Sequence, residues 1–279
     1  MELYQPQLKF GGKVYQPGVY DISNEEYHAS VGISRSAISE FMISPLHYWD
    51  RYINPDKPPF KKSKSLDVGA AAHVYLLENE KFHATYKVMP KFSGKGMKAK
   101  KEAFEAEYKG KTFISQKNFD NVMGIVKSIE SHLTAKKLIE GAVYEKSIYW
   151  IDEDTGLLCK ARPDIWHSTF IADLKTTECA KANKFEYSLG DYDYHIQAAM
   201  ILDAVKAAAL EEHMNYFFVA AETKRPYPAA SYPLNHQSIY QGRDEYKSEL
   251  YKMKECFTKN EWPGYEDREI GLARNRLKN

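Results

Sequence analysis

Asp164, Asp173 and Lys175 are the residues whose types and spacing best suit chemistry. Asp164 closes an apolar run containing Leu157, Leu158 and Ala161; Asp173 follows a second run, Phe170 to Ala172, and Lys175 stands two positions beyond it. Side chains two apart on a strand share a face. A strand here projects Asp173 and Lys175 together and turns Leu174 into the core, and a turn over Trp166 to Thr169 would bring Asp164 beside Asp173. Two neighbouring carboxylates repel unless a cation lies between them, and oxygen ligands suit a hard ion such as Mg²⁺ or Mn²⁺. Asp164 and Asp173 are therefore candidate metal ligands, with the Leu174 carbonyl as a third. Lys175 is placed either to position and help deprotonate a water or to hold a phosphate as a point charge. The layout suits phosphodiester hydrolysis, where a metal neutralises the oxygens that repel hydroxide.

Pro163-Asp164, an eight-residue gap and Asp173-Leu174-Lys175 resemble the signature of the PD-(D/E)XK nuclease superfamily. Upstream lies Gly69-Ala70-Ala71-Ala72-His73 on an apolar helical stretch, and downstream Tyr194-His195-Ile196-Gln197-Ala198-Ala199 opens another helix. In this order the three motifs resemble the branch containing the RecB nuclease domain, lambda-type exonucleases and RecE. Further segments are similar to RecE and its prophage relatives: Ile33 to Ile38, Ser44 to Tyr48, Tyr149-Trp150, Thr155 to Asp164, and Trp262 to Tyr265.

The resemblance implies an α/β nuclease core with a mixed central sheet flanked by helices. It also implies a Mg²⁺-dependent exonuclease, with Mn²⁺ able to substitute, that works 5′ to 3′ on double-stranded DNA ends in a bacterial cytoplasm. A ring-shaped homo-oligomer and a single-strand annealing partner follow from the same likeness. By resemblance His73 is an imidazole ligand or orients a water beside the metal. Glu145, before the central hairpin, is a further metal or water contact, or else a solvated acid; Gln197 hydrogen-bonds a phosphate or Lys175, or else is a surface amide. The chain departs from the family in having Ile201 where Tyr is usual four residues after the Gln, and Leu272-Ala273-Arg274 in place of Pro-x-Trp. Two other readings stay open: an internally cutting endonuclease, and a catalytically silent DNA-end-binding protein.

These residues need elements to hold them. Ser34 to Phe41 reads as a helix capped by Ser34, and Ser44-Pro45 starts another. Asp67 to Glu78 carries His73, with Gly69 one turn before it on the same side. Lys98 to Tyr108 and Phe119 to Ile139 read as amphipathic helices. Val143 to Ile151 and Leu157 to Asp164 form a hairpin about Asp152 to Gly156, and Phe170 to Lys175 is a third strand. A helix from Tyr194 to Ala209, strands at Asn215 to Ala221 and Pro228 to Tyr232, and a helix from Gln237 to Phe257 complete the order.

The chain of 279 residues, 43% hydrophobic, has no linker-like segment or repeat, so a single domain is expected, with 1–20 and 266–279 peripheral. No apolar run approaches the roughly 20 residues of a membrane span, and the N-terminus lacks a basic-then-apolar signal. Cys159, Cys179 and Cys256 form no CxxC pair, which argues against an iron–sulfur centre and a disulfide framework. With 39 basic and 38 acidic residues, global charge does not announce nucleic acid. Locally, Lys57 to Lys64 and Lys87 to Lys101 bracket the His73 helix and suit phosphates, unless they are solvated loops.

Overall fold

Alternation of side chains along two neighbouring strands decides the architecture. In β8 (Ile171–Thr177) and β9 (Tyr216–Glu222), Ile171, Tyr216, Phe218 and Ala220 join one apolar core; Ala172, Leu174, Val219 and Ala221 join another. The sheet is thus buried on both faces, as parallel pairs require. Its order is β10 (Ala229–Pro233), β9, β8, β7 (Ile165–Trp166), β4 (Val143–Tyr144); only β8 and β9 are parallel. The structure, a computed structural model, describes Gln7 and residues 12–57, 68–209, 211–213 and 215–267. Lys61, Lys62, Lys64, Asp67 and the Leu272 to Arg274 segment lie outside the described residues.

The first core is covered by α2 (Arg35–Ile43), α3 (Pro45–Tyr52), α10 (Tyr194–Ala209) and α11 (His236–Lys259). Ser34 Oγ accepts from the Ala37 amide and Ser44 Oγ from the His47 amide, each at 3.3 Å, so the expected caps form. The opposite core is built on α4 (Val68–Leu77) and α7 (Gln116–Ser131). The expected single helix from Phe119 to Ile139 is two. His132 adopts an extended backbone, and its Nδ1 accepts from the Ala135 amide at 3.1 Å, capping α8 (Leu133–Ile139).

The hairpin also departs from expectation. Val143 to Ile151 is not one strand: β4 pairs with β7 in the five-stranded sheet, whereas β5 (Ser147–Ile151) pairs with β6 (Leu158–Ala161) and β1 (Gly18–Tyr20) in a separate three-stranded sheet. The chain changes sheet at Glu145, whose φ is +54°, and returns through Arg162, Pro163 and Asp164. The tip is as predicted: Asp152 Oδ1 accepts from the Thr155 amide at 3.0 Å and its hydroxyl at 2.7 Å, and Gly156 supplies a positive φ.

Short elements not anticipated are α1 (Asn24–Ala29), α5 (Asn79–Thr85), the parallel pair β2 (Tyr86–Met89) and β3 (Thr112–Ser115) around α6 (Met97–Glu107), and α9 (Ala182–Asp191). No helix among the described residues is long and apolar enough to cross a membrane. The cysteines are unbridged.

α10 and α11 come into backbone contact at Gly242, where a Cβ would lie 2.3 Å from the His195 carbonyl oxygen. Backbone cannot yield as a flexible side chain can. Gly242→Ala should therefore cost on the order of 1–3 kcal/mol or more, read as a lower denaturation midpoint with unchanged m-value.

Candidate active site

A cleft of about 470 Å³ opens where the two sheets part, with His73, Glu145, Asp164, Leu174 and Gln197 among its walls. The sequence distributes these residues over five elements or junctions, and each arrives for a local reason. Gly69 and His73 lie one turn apart on α4 and both face the cleft. Glu145 and Asp164 occupy the two strand crossings, where the Glu145 amide bonds the Asp164 carbonyl at 3.4 Å. Pairing of Ile165 with Ala172 and Trp166 with Ile171 folds Asp164 back on β8, and its Oδ2 accepts from the Leu174 amide at 2.8 Å. Asp173 and Lys175 share the face toward α10, as their spacing requires, and Gln197 meets them there.

Two linked groups result. In the first, His73 Nε2 lies 3.0 Å from Asp164 Oδ2 and Nδ1 lies 3.6 Å from Glu145 Oε1. One donor atom from each of His73, Glu145 and Asp164 lies within 4.8 Å of the others. In the second, Lys175 Nζ is 2.5 Å from Asp173 Oδ2 and donates to Gln197 Oε1 at 3.0 Å, while Gln197 Nε2 donates to Asp173 Oδ1 at 2.7 Å. Gln197 thus fixes its own amide orientation, holding the acid with its nitrogen and the amine with its oxygen.

The electrostatics follow from burial and crowding. Asp173 is fully buried; desolvation and the neighbouring Asp164 charge push its carboxyl up to about 6. Glu145 is raised by burial and by Asp164, against His73 and Arg162. Asp164 goes the other way: burial would raise it, but His73, Lys175 and the Leu174 amide hold it below the usual carboxylate range. Burial would lower His73, yet Asp164, Glu145 and Asp173 outweigh it and push the imidazole up to about 9. Lys175, also desolvated, is raised by Asp173 and Asp164, so it stands as an ammonium.

One imidazole and two carboxylates form a donor set that a divalent cation such as Mg²⁺ or Mn²⁺ can use. The residues fit such an ion. All the predicted site residues converge, but they divide: His73, Glu145 and Asp164 form the cluster, while both Asp173 oxygens face Lys175 and Gln197. The Leu174 peptide borders the cleft between the groups.

Lys160 and Arg162 alternate on the strand that leads to Asp164, a placement from which basic side chains could line a DNA track. Both edge the cleft, but their charges turn inward. Lys160 Nζ donates to the Tyr27 and Ser30 carbonyls, each at 2.7 Å. Arg162 donates to Glu145 at 2.6 Å, Ser147 Oγ at 2.7 Å and the Ile22 carbonyl at 3.0 Å. Of the lysine clusters, Lys57 donates to the Arg51 carbonyl. Lys98 and Lys101 pair with Glu102 and Glu105 on the exposed α6, and Lys91, Lys95 and Lys100 are exposed. Sequence reasoning missed Tyr194, whose ring centre is 4.5 Å from Lys175 Nζ. It precedes Gln197 by three residues, a helical spacing that could have found it.

With this geometry in place, comparison with known proteins is decisive at the level of family. The model of a PDDEXK-like domain of unknown function, DUF3799, matches residues 34–270. The chain belongs to that PDDEXK-like family. Its α/β core of mixed sheet and flanking helices agrees. A crystal structure of a candidate exonuclease from Eubacterium rectale is similar at 14% identity and a TM-score of 0.58, over 92% of this chain and 99% of that one, which is likeness of fold. The crystal structure of SSO0001 overlaps at a TM-score of 0.27 and 13% identity, over 81% of this chain and 92% of that one. No curated protein matches the sequence.

His73 carries a testable sign. Its stabilising pairing is fully present below its usual 6.5 and is lost as pH rises through about 9. In metal-free protein, the stability advantage of wild type over His73→Gln should shrink between these limits. Thermal melts across the range, paired variant against wild type, cancel other groups such as Lys160, whose depressed value near 8 acts oppositely. A constant difference would show that His73 is not charged by its neighbours.

Proposed function

We propose that this PDDEXK-like protein is a divalent-metal-dependent deoxyribonuclease that degrades double-stranded DNA from its ends. The observation that carries the reading is the juxtaposition of His73, Glu145 and Asp164 with the Asp173–Lys175–Gln197 group on adjoining sides of one strand crossing. A cation held by His73, Glu145 and Asp164, with Leu174 beside it and Asp173 turned to Lys175 and Gln197, would neutralise the phosphate and acidify water. Lys175 is an ammonium fixed by Asp173 and Gln197, so its role is to orient the attacking water or grip a phosphate oxygen. Gln197 keeps that amine in register with Asp173.

Attack from DNA ends, with 5′ to 3′ polarity, is the part of the proposal that rests on the RecE resemblance. A homo-oligomeric ring and a single-strand annealing partner belong to the same proposal. The discriminating experiment uses duplex labelled on each strand in turn, beside closed circular plasmid. Linear DNA should be consumed and closed circles spared; nicked circles would make the enzyme an endonuclease.

Neutral near-isosteres test the site with least disturbance, because removing one partner of a buried pair strands the other. Asp173→Asn and Lys175→Gln should each lower cleavage by on the order of a hundredfold or more, with far-UV circular dichroism retained. Near-wild-type turnover in either folded variant would remove the nuclease reading.

The ion itself gives a separate prediction. Mg²⁺ or Mn²⁺ should restore activity after chelation, and Ca²⁺ should bind but not support turnover, because its bonds are longer and its geometry looser. Full activity in chelator, or a strict need for Zn²⁺, contradicts the donor assignment.

A further inference from the structure

Beyond the cleft, two tyrosines lead from the protein surface to the candidate catalytic lysine. Tyr194 opens α10, and its ring centre stands 4.5 Å from Lys175 Nζ. Tyr192, at the end of α9, stacks on it with centroids 5.6 Å apart and planes at 28°. Tyr192 is 58% exposed although its ring is large and flat. Such a ring, stacked on Tyr194 yet largely exposed, has surface left for a further stack.

The backbone between the rings is specialised. Asp193 has a φ of +52°, a conformation non-glycine residues seldom adopt, and its carboxylate accepts from Ser39 Oγ on α2 at 2.6 Å. This left-handed residue ends α9, starts α10 and leaves both rings stacked. It also ties the pair to α2, whose Arg35 lines the cleft. Burial raises the Tyr194 phenol, and the Lys175 ammonium over its ring opposes that rise.

The ligand class follows from the surroundings. Tyr192 is flanked in the chain by Asp191 and Asp193, not by cations, so what it offers is an uncharged aromatic face rather than a grip on phosphate. Inside a duplex both faces of a base are covered by neighbours; an unpaired or terminal base has one to offer, and stacking on aromatic side chains tolerates any base. Resting on the nuclease reading above, we propose that Tyr192, backed by Tyr194, is a stacking platform for an unpaired nucleobase beside the scissile phosphate. It follows that the enzyme engages a frayed end or a single strand rather than closed duplex at this point.

The test uses single-stranded oligonucleotides carrying 2-aminopurine at successive positions, bound in Ca²⁺, together with cleavage in Mg²⁺. Wild type, Tyr192→Phe and Tyr192→Trp should quench the fluorophore at one position. Tyr192→Ala should abolish that quenching, weaken binding roughly tenfold and raise KM more than it lowers kcat. Placing an abasic nucleotide at the quenched position should erase the difference between wild type and Tyr192→Ala. Equal affinity of Tyr192→Ala and wild type for the intact oligonucleotide would overturn the proposal. So would an affinity loss that persists on the abasic strand, which would mark a general structural effect or a protein-docking surface. A wild-type protein that cuts DNA while Tyr192→Ala is indifferent sinks this inference alone. One that neither binds nor cuts any DNA sinks the nuclease reading with it.

Discussion

A carboxylate with no exposed surface is tolerated only where a cation and hydrogen bonds replace its water. Asp173 sits in the middle of β8 under that constraint, and the surrounding structure answers it: Lys175 follows on the same face, Gln197 reaches down from α10, and Asp164 stands one strand away. Because Asp164 carries its own charge, the problem spreads, and His73 is drawn into protonation to balance it. The imidazolium thus supplies part of the positive charge that a metal would bring. A site assembled this way is costly for stability and hard to explain as ornament. Strongly perturbed acids and bases converging in one cleft are a mark of function.

The second constraint is geometric. Asp164 can face α4 and β8 together only if its strand leaves one sheet and enters another, and the partner strand must turn with it. Glu145 takes that turn with a positive φ, a strained conformation for a non-glycine residue, and its side chain is pinned by Arg162. Strain and ligand position therefore coincide at one residue.

Much of this was legible in the residues. The period-two placement of Asp173 and Lys175, the Ser34 and Ser44 caps and the Asp152 to Gly156 turn are local signals, and they hold. The bent hairpin was not legible, because Val143 to Ile151 has unbroken strand character and only pairing with β7 and β6 reveals its division. The inward commitment of Lys160 was equally hidden: a lysine alternating with apolar residues reads as surface, yet carbonyls of Tyr27 and Ser30 from far earlier in the chain receive it. Local rules find elements; contacts distant in sequence decide which faces they show.

Ile201 illustrates how the two levels combine. It stands four residues after Gln197, so it lines the same cleft, and it is almost completely buried. Where the resembled family usually places a phenol, this chain offers hydrocarbon, which cannot donate to a phosphate. Three residues before Gln197, on the same side of α10, Tyr194 brings an aromatic ring to Lys175 instead. The ring stands seven residues, about two helical turns, before Ile201 and beside the amine. Arg35 and Lys81 line the same cleft and bring cationic side chains to its wall, Lys81 paired there with Glu78.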